Sequence, residues 1–209
     1  METVAAIDTA DVRGFLHEPV GIAHGGLLLA HGAGSNCDSP VLVAAACAFA
    51  AAGIAVLRID LPFRRKRPSG PPPRGSAAAD RDGLQCAATL LRDRAVGPTF
   101  LGGHSYGGRQ ATLLAADDPS IAEALLLLSY PLHPPKRPEQ LRTEHFPRLA
   151  VRAVFVHGSA DPFGTRDELA RASALIPAPT ALIEIAGAGH DLKRGRFEFA
   201  PVVAALLGE

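Results

Sequence analysis

The sequence predicts a doubly wound α/β domain whose mostly parallel sheet is covered by helices on both faces. Three observations predict this fold class: short apolar runs alternate with helical segments, the runs are continuously apolar, and no shift of composition interrupts the alternation. Continuous apolar strands that are each followed by a helix are typical of parallel sheets buried on both sides. The 209 residues are enough for one such domain, which we expect to span residues 1–209.

The first predicted helix and the strand after it contain a stretch that also resembles a membrane span. Residues 27–30 form an apolar strand, and a helix is predicted from about Pro40. Residues 41–57 carry no charge and approach the length needed to cross a bilayer. Gly53 divides this stretch into an Ala-rich helix and a strand over residues 55–59. We therefore expect buried elements and no membrane association.

The later elements repeat the alternation. Strands are predicted over residues 99–101, 124–129, 153–156 and 181–185, and helices over about 76–94, from 107, from about 166, and near 197–207. Two long Pro-rich loops, residues 61–75 and 130–147, each begin at the carboxyl end of a strand. The ligand crevice of an open α/β sheet lies at that edge, so both loops are candidate walls of a site.

Composition narrows the classes of partner. Lys and Arg number 21, as do Asp and Glu, so no net positive field is expected to attract nucleic acid or an acidic membrane. Cys37, Cys47 and Cys86 follow no metal-binding spacing, and we interpret them as buried, reduced thiols without a metal. The N-terminus lacks the basic and then apolar pattern of a signal peptide, which favours a cytoplasmic location.

The segment LGGHSYGGRQA, residues 101–111, places Ser105 between Gly103 and Gly107. An apolar strand precedes it and a helix is predicted to follow, which is the strand, turn and helix arrangement of a nucleophile elbow. Glycines on either side allow the tight turn that lifts the hydroxyl out of the sheet edge. Ser105 is therefore a candidate nucleophile.

A serine nucleophile needs a base, and the base needs an acid that orients it. Asp161 follows the strand predicted over residues 153–156, and His190 follows the strand over residues 181–185. Alone, Asp161 would more simply be a turn residue and His190 a solvated histidine. The chain order of serine, acid and histidine, each after a strand, favours a catalytic triad. Asp191 is a poorer candidate for the acid because it is adjacent to His190.

Acyl chemistry also needs hydrogen-bond donors for a developing oxyanion. The backbone N–H of Tyr106, directly after the candidate nucleophile, is one predicted donor. The other is predicted to be the N–H of Ala33, in the loop after the first apolar strand, with Gly32 and Gly34 as less favoured choices.

Other polar residues have weaker functional interpretations. His133 is a tentative substrate contact, with a structural role in its loop as the alternative. His104 and His157 lie beside strand ends and are expected to pack near the site, whereas His145 is expected to be exposed. Five basic residues are interpreted as a solvated loop, with attraction of an anionic substrate as the alternative: Arg64, Arg65, Lys66, Arg67 and Arg74.

A second hypothesis comes from Gly32 and Gly34, which partly imitate a dinucleotide-binding fingerprint, with Asp60 as the possible ribose partner. Cys37 occupies the third glycine position, where it would hinder close packing of the helix. This interpretation also leaves Ser105, Asp161 and His190 without a role. The sequence therefore disfavours a nicotinamide cofactor.

Six segments together resemble the α/β-hydrolase superfamily, and in particular its small lidless members related to dienelactone hydrolases: HGAGSN, LRIDLPF, GGHSYGGRQA, SYPLHPP, HGSADPFG and GAGHDL. The resemblance implies an α/β-hydrolase fold without a lid domain. It also implies a triad of Ser105, Asp161 and His190 and hydrolysis of an ester or related acyl bond. Dienelactone hydrolases use cysteine as the nucleophile, so their substrate is not carried over.

The sequence therefore predicts a carboxylesterase-like or thioesterase-like serine hydrolase that acts on a small-molecule acyl substrate without a cofactor. A non-catalytic hydrolase-like interaction module is the alternative from another functional class. The oligomeric state is left open.

Overall fold

A computed structural model of the chain describes residues 2–193 and 197–208. Within these residues the strands are β1 Thr3–Asp8, β2 Arg13–Glu18, β3 Gly26–Ala30, β4 Ala55–Ile59, β5 Thr99–His104, β6 Ala124–Leu128, β7 Arg152–Gly158 and β8 Thr180–Ile185. The helices are α1 Pro40–Ala51, α2 Pro62–Lys66, α3 Ala77–Arg92, α4 Tyr106–Asp117, α5 Arg166–Ser173 and α6 Ala200–Leu207. Short 3₁₀ helices cover Pro119–Ile121 and Phe146–Arg148.

The strands form one sheet in the order β1-β2-β4-β3-β5-β6-β7-β8. From β4 to β8 every neighbouring pair is parallel, whereas β2 is antiparallel to both β1 and β4. This arrangement confirms the predicted fold class. The carboxyl ends of the parallel strands therefore meet at one edge of the sheet.

Two apolar layers hold the helices against the sheet. The α3, α4 and α5 helices pack on one face, where the loop after β6 contributes Tyr130 and Phe146 to the same core. On the other face, α1 and α6 pack around Phe49 and the inward side chains of the central strands. All residues of β3, β4 and β6 are buried, which explains why their sequences are apolar apart from Arg58 in β4.

The uncharged stretch after Pro40 forms a helix and a strand, as predicted. Pro40 occupies the first turn of α1, and Gly53 follows the helix with φ of 84°, a left-handed conformation that glycine adopts without steric cost. No helix of the described residues is long and apolar enough to cross a membrane.

Two features were not predicted. The hairpin formed by β1 and β2 extends the sheet beyond the parallel strands, and the first part of the expected loop over residues 61–75 is the short helix α2. The hairpin is difficult to find because β1 is mostly exposed, so its short apolar run at residues 4–7 does not correspond to a buried strand. Helix α2 depends on a tertiary contact, since the carboxylate of Asp80 in α3 accepts a hydrogen bond from Phe63 N at 3.0 Å.

Candidate active site

Ser105 lies on a sharp turn between β5 and α4. Its backbone has φ of 51° and ψ of −112°, an uncommon conformation for a residue with a side chain. Ser105 N donates to the carbonyl of Leu128 at 2.9 Å, which continues the pairing of β5 with β6 up to the turn. Strained backbone of this kind is common at functional sites, and it presents the hydroxyl at the carboxyl edge of the sheet.

Gly103 and Gly107 allow the turn to approach the neighbouring strand. A Cβ atom at either position would collide with the carbonyl oxygen of Ala30, the last residue of β3. Both glycines are therefore required by close backbone packing, as the sequence predicted from the spacing around Ser105.

Ser105, His190 and Asp161 form a continuous chain of hydrogen bonds. His190 Nδ1 lies 2.8 Å from Asp161 Oδ2, and His190 Nε2 lies 2.8 Å from Ser105 Oγ. Because a carboxylate only accepts hydrogen bonds, Nδ1 carries the proton and Nε2 presents a lone pair to the serine hydroxyl. The Asp161 side chain is fully buried, whereas that of His190 is 21% exposed. The structure thus brings together the three residues predicted from separate strands.

The loop after β7 fixes Asp161. Phe163 N donates to Asp161 Oδ1 at 2.9 Å, and the Phe163 ring lies against the His190 ring with a centroid separation of 4.2 Å. The buried His157 donates from Nε2 to the carbonyl of Gly164 at 2.7 Å and so closes the same loop. Asp161 and the imidazole of His190 are therefore both held from this side of the site.

His104 connects the nucleophile turn with the loop that carries His190. Its Nε2 donates to the carbonyl oxygen of His190 at 2.7 Å, and the two rings are 5.2 Å apart. Burial lowers the pKa of His104, which favours the neutral ring, and the carbonyl acceptor requires that its proton lies on Nε2. Its predicted packing role thus includes a direct hydrogen bond to the loop of the base.

The predicted oxyanion donors lie on the two backbone segments that flank Ser105. Tyr106 N belongs to the first turn of α4, and Ala33 N to the loop after β3. Among the described residues, neither N–H donates to a protein acceptor. Gly32 lies in contact distance of the nucleophile turn, since a Cβ added there would be 3.5 Å from Ser105 Cβ. The loop of Ala33 is therefore adjacent to Ser105.

Arg64 fixes the loop of Ala33. Its side chain donates to four carbonyl oxygens, those of Ser35 at 2.7 Å, Ala33 at 2.8 Å, Gly70 at 2.9 Å and Arg67 at 3.0 Å. Arg64 is only 3% exposed. The interpretation of Arg64 as part of a solvated basic loop was therefore wrong, because its guanidinium is used inside the protein.

Asp60 fixes the far end of the same loop. Its carboxylate accepts hydrogen bonds from Cys37 N at 2.9 Å and from Arg13 Nη2 at 2.7 Å. Although burial opposes the effect, these hydrogen bonds hold the pKa of Asp60 below its usual value. Both carboxylate oxygens are engaged, so the dinucleotide hypothesis lacks its ribose partner.

The side chain of Tyr106 is held by a buried carboxylate. Tyr106 Oη donates to Asp80 Oδ2 at 2.7 Å, and Asp80 also accepts from Ser76 Oγ at 3.2 Å. Asp80 is fully buried on α3. Sequence reasoning missed Asp80, although an acidic residue on the apolar face of a predicted helix is a signal for such a role.

His133 contacts the loop of Phe163 and the start of α5. Its backbone N donates to the carbonyl of Phe163 at 3.1 Å, and its buried ring contacts the carbonyl of Pro134 at 2.8 Å and the carboxylate of Glu168 at 3.5 Å. These contacts support the structural alternative, and its role in substrate binding stays a prediction.

Two further expectations were wrong. His145 is 2% exposed rather than exposed, because its Nε2 donates to Thr112 Oγ1 at 2.8 Å beneath the loop after β6. Of the three cysteines, Cys37 is buried, but Cys47 and Cys86 are exposed.

One group of residues has the donor types of a metal site, away from Ser105. Among the described residues, Glu2, His17 and Cys47 each place a potential ligand atom within 4.8 Å of the others. Arg58 Nε donates to His17 Nε2 at 2.9 Å, so neutral His17 carries its proton on Nδ1, the atom that faces Glu2. This tautomer has no lone pair for a metal, and the group therefore does not fit a metal ion.

Comparison with known families agrees with this architecture. The family model described as "Alpha/beta hydrolase domain" matches residues 23–198. The chain belongs to the α/β-hydrolase family. Within that family it is similar to dienelactone hydrolase-like, lidless members.

Solved structures show the same fold for this α/β-hydrolase. The dienelactone hydrolase from Anabaena variabilis is 23% identical, with a TM-score of 0.72 and coverage of 100% of this chain and 94% of that one. Est1E from Butyrivibrio proteoclasticus, solved with ferulic acid bound, is 17% identical, with a TM-score of 0.77 and coverage of 97% and 96%. XC6422 from Xanthomonas campestris, described as a serine hydrolase without a lid, is 16% identical, with a TM-score of 0.67 and coverage of 99% and 92%.

Proposed function

We propose that this α/β-hydrolase is a serine hydrolase that cleaves an ester or related acyl bond of a small molecule through an acyl-enzyme. The observation that carries the proposal is the hydrogen-bond chain from Ser105 Oγ through His190 to Asp161, with two distances of 2.8 Å. A buried carboxylate, an oriented imidazole and a strained serine at a strand end are the parts that nucleophilic acyl chemistry needs.

In the first half-reaction Ser105 Oγ attacks the carbonyl carbon while His190 Nε2 takes the hydroxyl proton. Asp161 stabilises the resulting imidazolium through its hydrogen bond to Nδ1. The N–H groups of Tyr106 and Ala33 stabilise the negative charge on the carbonyl oxygen. The bond to the leaving group then breaks, and His190 returns its proton to that group.

In the second half-reaction water replaces the leaving group. His190 removes a proton from the water as its oxygen attacks the acyl carbon, and Ser105 leaves with the proton that His190 returns. The products are an acid and the regenerated hydroxyl. Both oxygen esters and thioesters fit this scheme, since the triad acts on the same carbonyl carbon in each.

Labelling with a fluorophosphonate, together with turnover of short-chain 4-nitrophenyl esters, tests the proposal. Ser105→Ala should abolish both, and peptide mass spectrometry should find the label on Ser105. Ser69→Ala is the matched control, because Ser69 is exposed on the loop after α2 and should keep both signals. Ester turnover that persists in Ser105→Ala would refute the nucleophile assignment. A folded wild-type chain that is neither labelled nor active would favour the non-catalytic alternative.

A further inference from the structure

Asp80 is a buried carboxylate that the proposed chemistry does not use. It lies in the first turn of α3 and is fully buried. Within residues 2–193 and 197–208, it forms no ion pair. Burying a charge is costly unless other groups stabilise it. The stabilisation of Asp80 therefore comes from hydrogen bonds, and the positions of their donors indicate what the carboxylate holds.

Three segments of the chain donate to this carboxylate. Tyr106 Oη in α4 donates to Asp80 Oδ2 at 2.7 Å, and Ser76 Oγ, just before α3, donates to the same oxygen at 3.2 Å. Phe63 N in α2 donates to Asp80 Oδ1 at 3.0 Å. All three partners are donors, as an ionised carboxylate requires. Asp80 thus connects α2, α3 and α4 at one buried point.

Tyr106 links Asp80 to the first predicted oxyanion donor. Tyr106 directly follows Ser105, and its backbone N–H is that donor. Burial raises the pKa of the Tyr106 hydroxyl, and the hydrogen bond to Asp80 raises it further, so the hydroxyl keeps its proton and remains a donor. Hydrogen bonds to a charged group are short and strong. The bond to Asp80 therefore restricts the residue that carries the N–H.

Phe63 links Asp80 to the loop of the second predicted donor. The residue after Phe63 is Arg64, whose guanidinium donates to the carbonyl of Ala33 at 2.8 Å. The hydrogen bond from Phe63 N to Asp80 fixes the start of α2, from which the Arg64 side chain extends. Asp80 therefore acts on both backbone segments that carry a predicted oxyanion donor.

A row of three aromatic rings lies between these two segments. The Phe63 ring packs edge-on against the Tyr106 ring, with centroids 5.8 Å apart, and against the His31 ring, with centroids 5.6 Å apart. His31 lies two residues before Ala33. The row therefore separates Tyr106 from the loop of Ala33, and Asp80 is bonded to its middle residue and to one of its ends.

We propose that Asp80 is a positioning residue that sets the separation of the two predicted oxyanion donors, Tyr106 N and Ala33 N. It acts through the Tyr106 hydroxyl on one side and through α2 on the other. Two donors stabilise an oxyanion only when both reach the same oxygen, so a small displacement of either is costly. The inference rests on the proposed function, because it concerns the oxyanion formed by attack of Ser105.

Steady-state kinetics with a short-chain 4-nitrophenyl ester test the proposal. Asp80→Asn keeps the size of the side chain but replaces one acceptor oxygen by a donor. The kcat should fall by about tenfold to a hundredfold with little change in KM. Tyr106→Phe removes only the hydroxyl and should give a smaller fall of the same kind. Because both substitutions break one shared hydrogen bond, their effects on kcat should not multiply in the double variant.

An alkyl trifluoromethyl ketone measures stabilisation of the oxyanion directly. Ser105 Oγ adds to its carbonyl carbon, the hydroxyl proton passes to His190, and the carbonyl oxygen takes the negative charge. The inhibition constant should rise in Asp80→Asn by about the factor by which kcat/KM falls.

Asp82→Asn is the matched control, since Asp82 is exposed on the same helix, and it should leave kcat and the inhibition constant unchanged. Circular dichroism and the melting temperature check that each variant is folded. An Asp80→Asn protein that is less stable but keeps the wild-type kcat and inhibition constant would overturn the proposal, because Asp80 would then serve stability alone. Ester hydrolysis that depends on Ser105 would in that case leave the proposed function intact.

Backbone amide signals in ¹H–¹⁵N NMR spectra cover the case in which no ester is hydrolysed. In Asp80→Asn the signals of Tyr106 and of Ala33 should both shift, although Ala33 has no hydrogen bond with Asp80. In Asp82→Asn both signals should stay in place. An unchanged Ala33 signal in Asp80→Asn overturns the proposal whatever the kinetic result. Tyr106→Phe provides the same comparison if Asp80→Asn does not fold.

Discussion

Replacing Arg64 by methionine tests whether the loop of Ala33 depends on one buried guanidinium. The substitution keeps an apolar side chain but removes four hydrogen bonds to carbonyl oxygens. Each such bond contributes about 1 kcal/mol net, and some of the freed carbonyls regain water. We therefore expect the free energy of unfolding to fall by about 2–3 kcal/mol. For a domain of this size the melting temperature should fall by roughly 4–12 °C.

The same substitution should reduce catalysis, because Ala33 is the predicted second oxyanion donor. Complete loss of one such donor costs about a hundredfold to a thousandfold in kcat, so a partly displaced loop should lose at least about tenfold. Thermal denaturation and the kcat for a 4-nitrophenyl ester, measured well below the melting temperature, give the two effects. Arg67→Met is the control, since Arg67 is exposed in the same basic segment. An unchanged kcat in a destabilised Arg64→Met would refute the link between this arginine and the oxyanion site.

Three other substitutions test separate features of the site and its support. His104→Phe removes the hydrogen bond to the His190 carbonyl, so kcat should fall by about tenfold with little change in KM, as measured with a 4-nitrophenyl ester. Gly107→Ala places a Cβ against the carbonyl of Ala30, and the melting temperature should fall by several degrees or more. Burial lowers the pKa of His145 to about 4. Between about pH 6.5 and pH 4, His145 is therefore protonated in the unfolded chain but neutral in the folded protein. Wild-type stability should therefore fall between pH 6.5 and pH 4, by roughly 3 kcal/mol from this residue, and His145→Gln should remove that part of the slope in denaturant titrations.

Each of these predictions has a control that the chain provides. His104→Gln keeps a side-chain N–H and should recover activity, whereas equal losses in the Phe and Gln variants would mean that ring packing alone matters. Gly34→Ala meets nothing within 4 Å and should leave the melting temperature unchanged. Burial also lowers the pKa of His31 and His104, so some acid sensitivity should remain after His145→Gln. The pH slopes of the wild type and His145→Gln would coincide if the buried His145 had an ordinary pKa.

The parallel part of the fold and the positions of Ser105, Asp161 and His190 were predictable because each depends on local sequence. An apolar run predicts a buried strand, and residues just after parallel strands meet at one edge of the sheet. The roles of Arg64 and His145 were not predictable, because each depends on a partner distant in the sequence. Arg64 bonds to the carbonyl of Ala33, 31 residues away, and no local pattern distinguishes it from its exposed neighbours.

The hairpin of β1 and β2 shows the same limit. Most of β1 is exposed, so its sequence lacks the alternation of apolar and polar residues that identifies a strand with one buried face. Its position follows from pairing with β2, in which Thr3 faces Glu18 and Asp8 faces Arg13. Such pairing at the sheet edge depends on hydrogen bonds between the two backbones. These hydrogen bonds are difficult to predict from the pattern of side chains.

The attachment of His190 to the last strand of the sheet has a consequence for how the protein is made. Strand β8 pairs with β7 alone and follows the strands that carry Ser105 and Asp161. During synthesis, the proposed nucleophile and the proposed acid therefore emerge from the ribosome well before the proposed base. In the proposed mechanism, a nascent chain that ends after β7 lacks the group that takes the proton of Ser105, so we expect no ester cleavage until β8 has joined the sheet.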